Sequence, residues 1–154
     1  NRNLIKLKNG SDFWITVPIA KNSYDLNINE VKLAPDYGWK KKLLKTIQLN
    51  LGLDLTNIYN SETLMDVNMK SIKYCREQLD ITTPMVFASD MGILGTKTER
   101  IYNICKSVNA TKYISGLGSK DYMDLSVFKD IDVEFFEPTL TNNYSTIYNL
   151  SCEK

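Results

Sequence analysis

Gly116-Leu117-Gly118-Ser119 is followed closely by Lys120 and Tyr122, a set of residue types suited to holding an anion. Glycines let backbone approach a ligand, and the free N–H groups that open a helix favour phosphate or carboxylate. Lys120 would add a point charge and Tyr122 a hydroxyl. The same four residues also fit a plain strand-to-helix turn in which Ser119 is the N-cap. They lack the full dinucleotide fingerprint and the lysine-threonine pair of a phosphate loop. Asp90 and Glu137 are the carboxylates placed to serve as base or metal ligand, although each alone also fits a solvated loop.

The chain contains no histidine. Ser-His-Asp and Cys-His catalysis within one chain are therefore excluded, as are the usual histidine-containing zinc sites. Proton transfer must use carboxylate, lysine, tyrosine, substrate or water. Cys75, Cys105 and Cys152 are too widely spaced for a zinc motif and form no disulfide framework. They fit a reduced, cytoplasmic protein with thiols in helices. Nothing in the sequence names a cofactor.

The elements that must position these groups follow from hydrophobic period. Leu4–Lys8 and Phe13–Val17 alternate around Asn9-Gly10, which predicts a type I′ hairpin. Leu26 and Ile28 are out of phase with Val31 and Leu33, so a β-bulge or a break between two short strands is expected near Asn29. Helices are predicted over Trp39–Asn50, with Leu43, Leu44, Ile47 and Leu51 on one side, and over Ser61–Leu79. In the second, Leu64, Val67, Ile72, Cys75 and Leu79 are expected inward. Leu51–Asn60 has no period and reads as a connection. Lys40, Lys41, Lys42 and Lys45 give the first helix a basic side, which fits either solvation or a phosphate contact.

Beyond Pro84 the period changes. Met85–Ala88 is a continuous apolar run, the pattern of a strand covered on both faces. Thr96 and Glu99 form a capping-box pattern ahead of a helix carrying Ile101, Ile104, Cys105 and Val108. Tyr113–Ser115 reads as a strand, Ser119–Phe128 as a short helix, Ile131–Phe135 as an edge strand, and Tyr144–Cys152 as a final helix. Strands separated by such helices imply right-handed crossovers. The expected fold is therefore α/β, a three-layer, mostly parallel sheet with an added N-terminal β-hairpin. Three strand ends would then deliver Ser89 and Asp90, the Gly116 turn, and Glu137 to one rim, where open α/β sheets bind ligands.

At 154 residues and net charge +1, one α/β domain over 1–154 is expected, with no global field favouring nucleic acid. No apolar run approaches the ~18 residues of a membrane-spanning helix, so no integral membrane segment is expected. The chain opens at Asn1 rather than methionine, and its natural N-terminal segment is expected to be absent.

Several segments together resemble the WbqC-like family. They are Asn1-Arg2-Asn3-Leu4-Ile5-Lys6, Trp14-Ile15-Thr16-Val17-Pro18, Asn29-Glu30-Val31 and Leu43-Leu44-Lys45-Thr46-Ile47. The longest match runs from Glu99-Arg100-Ile101 through Ala110–Gly116 to Lys120-Asp121-Tyr122. The resemblance implies a role in bacterial O-antigen or surface-polysaccharide synthesis, with transfer of glycine or another small acyl group to an amino sugar. It carries over Arg2 and Asn3 from the arginine-asparagine element, and Gly116, Lys120 and Tyr122 from the strand-turn-helix element. The Gln-Pro and aromatic-rich opening of relatives is absent here.

Combined, these expectations describe a transferase acting on a nucleotide sugar or activated acyl donor. Arg2, Asn3, Gly116, Gly118, Ser119 and Lys120 would bind ligand, while Tyr122 orients substrate and Asp90 or Glu137 accepts the amine proton. A non-catalytic nucleotide-sugar binding or assembly module and a nucleotidyltransferase-like enzyme remain alternatives.

Overall fold

A computed structural model describes residues 2–23, 25–139 and 142–152. The chain divides into two compact units, Asn1–Thr82 with Asn142–Lys154, and Thr83–Thr141.

In the first unit, β1 (Arg2–Lys6) and β2 (Asp12–Thr16) pair antiparallel, with Asn3 opposite Ile15 and Leu4 opposite Trp14. Alternation sends Ile5 and Ile15 into the core and leaves Arg2 and Trp14 outside. The predicted type I′ turn is not formed. Only Gly10 of the Asn9-Gly10 pair is left-handed (φ +86°), and Gly10 N–H donates to Leu7 C=O at 2.9 Å. Type I′ needs positive φ at both central residues, and Asn9 instead turns its side chain to accept from Ser11 N–H at 3.0 Å.

The Leu26–Leu33 run is no bulged strand. Asn27 and Glu30 close a turn on each other, the Glu30 carboxylate accepting from Asn27 backbone N–H at 3.0 Å and side-chain amide at 2.8 Å. Leu26 and Ile28 therefore face water while Val31 and Leu33 are buried, which accounts for their opposite phases. α1 (Trp39–Leu51) buries Leu43 and Ile47 as expected and stops at Gly52, whose φ is +69°. α2 (Thr56–Tyr59) is a single turn within the predicted connection. α3 (Leu64–Gln78) is capped by Thr63, which accepts from Asp66 N–H at 3.1 Å. α5 (Thr146–Cys152) returns Ile147 and Leu150 to the core.

In the second unit, α4 (Lys97–Ser107) packs Cys105 and Ile101 against Met123, Phe128 and Ile131. Its predicted capping box is not made: Thr96 accepts no side-chain cap bond, and Lys97 sits at φ +49°. β3 (Lys112–Gly116) and β4 (Asp132–Phe136) form a parallel pair in which Gly116 lies opposite Phe136.

The expected three-layer, mostly parallel sheet is not the fold. The described residues contain two sheets of two strands each, one antiparallel and one parallel, together with five α-helices. Met85–Ala88, predicted as a buried strand, has no strand partner, and Met85, Val86 and Phe87 are 41 to 64% exposed. A short apolar run cannot reveal by itself whether a ladder awaits it. The predicted Ser119–Phe128 helix is replaced by two three-residue 3₁₀ turns, Leu117–Ser119 and Leu125–Val127. Asp124 ends the first path by accepting from Ser126 N–H at 3.0 Å, a local bond that competes with a continuous helix. Among the described residues no helix is long and apolar enough to cross a membrane.

Candidate functional site

The first unit has a groove of about 380 Å³ between β1, β2 and α3, lined by both polar and apolar side chains. Asn3 enters it from the same face of β1 that buries Ile5. Arg2 forms part of its wall while its guanidinium lies over the Trp14 ring. Asn68 and Ser71 come from α3, which also supplies Val67 to the core beneath. Among the described residues no acidic side chain lines the groove. Asn1, the first residue of the arginine-asparagine element, lies outside the described residues.

Tyr59 is the most informative member. It is 4% exposed and lines the groove, and among the described residues its hydroxyl has no hydrogen-bond partner. Yet among the described residues no fully buried polar side-chain atom is left unsatisfied, so the Tyr59 hydroxyl keeps some accessible surface. Burial pushes its pKa up to about 12, which keeps the phenol a neutral donor. A buried tyrosine hydroxyl normally finds a partner. Ser71 is already committed, donating to Val67 C=O at 2.7 Å.

The second unit holds the remaining sequence-predicted residues. Parallel pairing places the ends of β3 and β4 side by side, which brings the Gly116 turn next to Glu137. Asp90 does not share this edge through a strand end. It follows a turn in which its N–H donates to Phe87 C=O at 3.0 Å, and its carboxylate accepts from Ser89 at 3.1 Å. Ser119 is buried, donates to Gly116 C=O at 2.8 Å and shares a 2.6 Å bond with Ser115. Its hydroxyl thus closes its own turn, and there is no helix there to present a row of free N–H groups. Gly116 and Gly118 face open space, where an added methyl would meet nothing within 4 Å beyond the adjoining residues. Lys120 is exposed. Tyr122, 74% exposed, edges a mostly apolar cavity of about 310 Å³ with Lys97, Thr98, Ile101 and Met123.

Two features escaped sequence reasoning. Tyr59 sits in an aperiodic stretch that reads as a connection. Asn68 and Ser71 interrupt the apolar stripe of α3 at the i+4 and i+7 positions from Leu64, a pattern that could have marked a polar opening on an inward face. Ile72 and Leu79, expected inward, are instead about half exposed. The thiols of Cys75 and Cys105 are pushed up by burial, which leaves both protonated and apolar in character.

No solved structure was found to match the chain. The chain is 30% identical to the uncharacterized protein Rv1507c of Mycobacterium tuberculosis (strain ATCC 25618 / H37Rv) over 146 residues, an alignment covering 86% of this chain and 62% of that relative. The chain thus spans less than two thirds of that protein's length. The model of the WbqC-like protein family matches residues 1–150, and the chain therefore belongs to that family.

Proposed function

We propose that the chain is a biosynthetic transferase of bacterial surface-polysaccharide assembly, moving a small acyl group such as glycine onto an amino sugar, and that the first-unit groove holds one of its substrates. The observation that carries this is a groove lined by Arg2, Asn3, Asn68 and the buried Tyr59, with no acidic side chain among the described residues that line it and no described hydrogen-bond partner for the Tyr59 hydroxyl. A neutral donor, two amides and a cation suit a carboxylate or acyl carbonyl. Lys120, with Gly116, Gly118 and Ser119, then serves a phosphate-bearing donor, and Tyr122 orients substrate. Asp90 or Glu137 accepts the proton that the attacking amine releases as the new C–N bond forms, while the acyl C–O bond to the donor's phosphate breaks and the phosphate leaves with the bonding pair.

A second reading, a binding or assembly module without catalysis, is favoured by one specific observation. Ser119 spends its hydroxyl on Gly116 and Ser115, as a purely architectural turn requires. Thermal-shift titration with glycine, simple carboxylates, amino sugars and nucleotide sugars tests the groove. A Tm that climbs with ligand concentration and no longer does so in Asn3→Ala supports it, and no response to any compound contradicts it. Turnover of an activated acyl donor with an amino sugar then separates transferase from module.

A further inference from the structure

α1 keeps a basic strip open to solvent. Leu43 and Ile47 face the core. On the opposite side Lys42, Lys45 and Leu49 follow one another at i, i+3 and i+7, with Lys41 one turn before Lys45. These three lysines are exposed and Leu49 is 58% exposed. Among the described residues none of the three ammonium groups makes an ion pair or a hydrogen bond. Lys40 is set apart, half-buried and donating to Ser61 C=O at 3.2 Å.

The charge has no local counterweight. α1 packs on α2 and α5, and none of these three helices contains an acidic residue. The acids that flank α1, Asp36 and Asp54, accept from the backbone N–H groups of Gly38 and Thr56 at 3.0 and 2.9 Å. In a chain with 19 basic and 18 acidic residues, this arrangement gathers positive potential on one face.

A second observation lies just before the helix. Tyr37 is 92% exposed, more than any other large apolar or aromatic side chain among the described residues. Its turn is braced. Tyr37 N–H donates to Pro35 C=O at 3.0 Å, and the Trp39 indole N–H donates to Ala34 C=O at 3.3 Å. An aromatic ring held out in water by an ordered turn, next to a lysine strip, has the composition of a membrane-interface anchor.

We propose that α1 and the Tyr37 turn dock on an anionic lipid bilayer, with Lys41, Lys42 and Lys45 over the headgroup phosphates and Tyr37 and Leu49 entering the interface. The charge is complementary to an anionic leaflet, which attracts clustered lysines. A nucleic-acid duplex would engage the same lysines but leave Leu49 wet, whereas a bilayer also covers the apolar side chains of the strip.

The test is co-sedimentation of the whole chain with vesicles of phosphatidylcholine alone and of phosphatidylcholine with phosphatidylglycerol, at low and high salt. Binding is expected to the anionic vesicles only, and it should weaken as salt rises. Each lysine at such a surface is worth about a fivefold change in affinity, so replacing Lys41, Lys42 and Lys45 together by alanine should lower it about a hundredfold. Removing the same charge elsewhere, through Lys8→Ala, Lys21→Ala and Lys129→Ala, should change it far less. Tyr37→Ser should weaken binding without altering its salt dependence. All of these side chains are exposed, so every variant should keep the wild-type Tm. No binding to anionic vesicles, equal binding to both kinds, or equal losses in the two triple variants overturns the proposal. So does duplex DNA that binds as tightly as the vesicles and is indifferent to Tyr37→Ser, which would make the strip a nucleic-acid contact.

Discussion

The guanidinium carbon of Arg2 lies 4.5 Å from the centroid of the Trp14 ring, one diagonal step across the β1–β2 ladder from its own partner Thr16. Stacking restrains the flat guanidinium but leaves its in-plane N–H donors free, the arrangement in which arginine binds carboxylate or phosphate best. Among the described residues Arg2 has no side-chain hydrogen bond or ion pair, so its cation is held by an aromatic face on the outer side of the hairpin and not neutralised.

Trp14→Ala should therefore weaken anion binding without removing the charge. An exposed cation–π contact is worth about 0.5–1 kcal/mol, so a roughly two- to fivefold loss of affinity is expected by calorimetric titration with a carboxylate. Because Trp14 is half exposed, the Tm should change little. A loss of affinity matched by a large fall in Tm would mean that Trp14 serves the fold instead.

The glycines of the second unit should separate sharply. Gly118→Ala places its Cβ in open space at ordinary φ, and the expected change in unfolding free energy is within about 0.5 kcal/mol. Gly95 holds φ +112°, and a Cβ there would lie 3.2 Å from Arg100 N. Gly95→Ala should cost more than about 1 kcal/mol by denaturant titration. If Gly118→Ala keeps the fold but loses binding of a phosphate-bearing donor, the turn meets ligand.

Asp130 ties α4 to the start of β4 by accepting from Lys106 and, at 2.9 Å, from the Tyr102 hydroxyl. The Lys106 hydrogen bond and then the Tyr102 one hold the Asp130 carboxyl below the usual carboxylate range, and Asp130 holds the Lys106 ammonium above the usual lysine range. A depressed acid stabilises the fold above its unfolded pKa and loses that effect as pH falls through the folded value. A raised lysine stabilises below its unfolded pKa and loses that effect as pH rises through the folded value. The Tm gap between wild type and Asp130→Asn should thus be open at pH 7 and close at both extremes. A gap that stays constant through the acid limb would contradict the assignment.

Core substitutions give the scale against which these effects are read. Ile47 is fully buried on α1 among Ile5, Leu43 and Leu55. Ile47→Ala should cost about 2–5 kcal/mol in denaturant unfolding. A smaller cost would mean that the first unit's core collapses around the deletion.

Much of the local structure was legible because period speaks for itself where one face is buried. Leu43 and Ile47 announce α1, Ile101 and Cys105 announce α4, and Tyr113 with Val133 announce strands that do pair in parallel. Sheet size was not legible, since Met85–Ala88 has the composition of a buried strand but a strand also needs a neighbour's backbone. The Ser119 helix was misread for a local reason: Ser119 and Asp124 satisfy nearby backbone and hydroxyl groups that a longer helix would have had to use. At the candidate site, the family resemblance supplied Arg2 and Asn3, which line one groove. Tyr59 carried no signal at all, because a buried tyrosine at the end of a one-turn helix has no period to betray it.

The most direct test removes one oxygen. Tyr59→Phe deletes a hydroxyl that has no hydrogen-bond partner among the described residues, so the protein should keep or slightly raise its Tm. If the groove holds an acyl or carboxylate ligand through that hydroxyl, affinity measured by titration should fall about two- to tenfold, the worth of one hydrogen bond of about 0.5–1.5 kcal/mol. Unchanged affinity for a ligand that still needs Arg2 and Asn3 would contradict the assignment of Tyr59 and the site built on it.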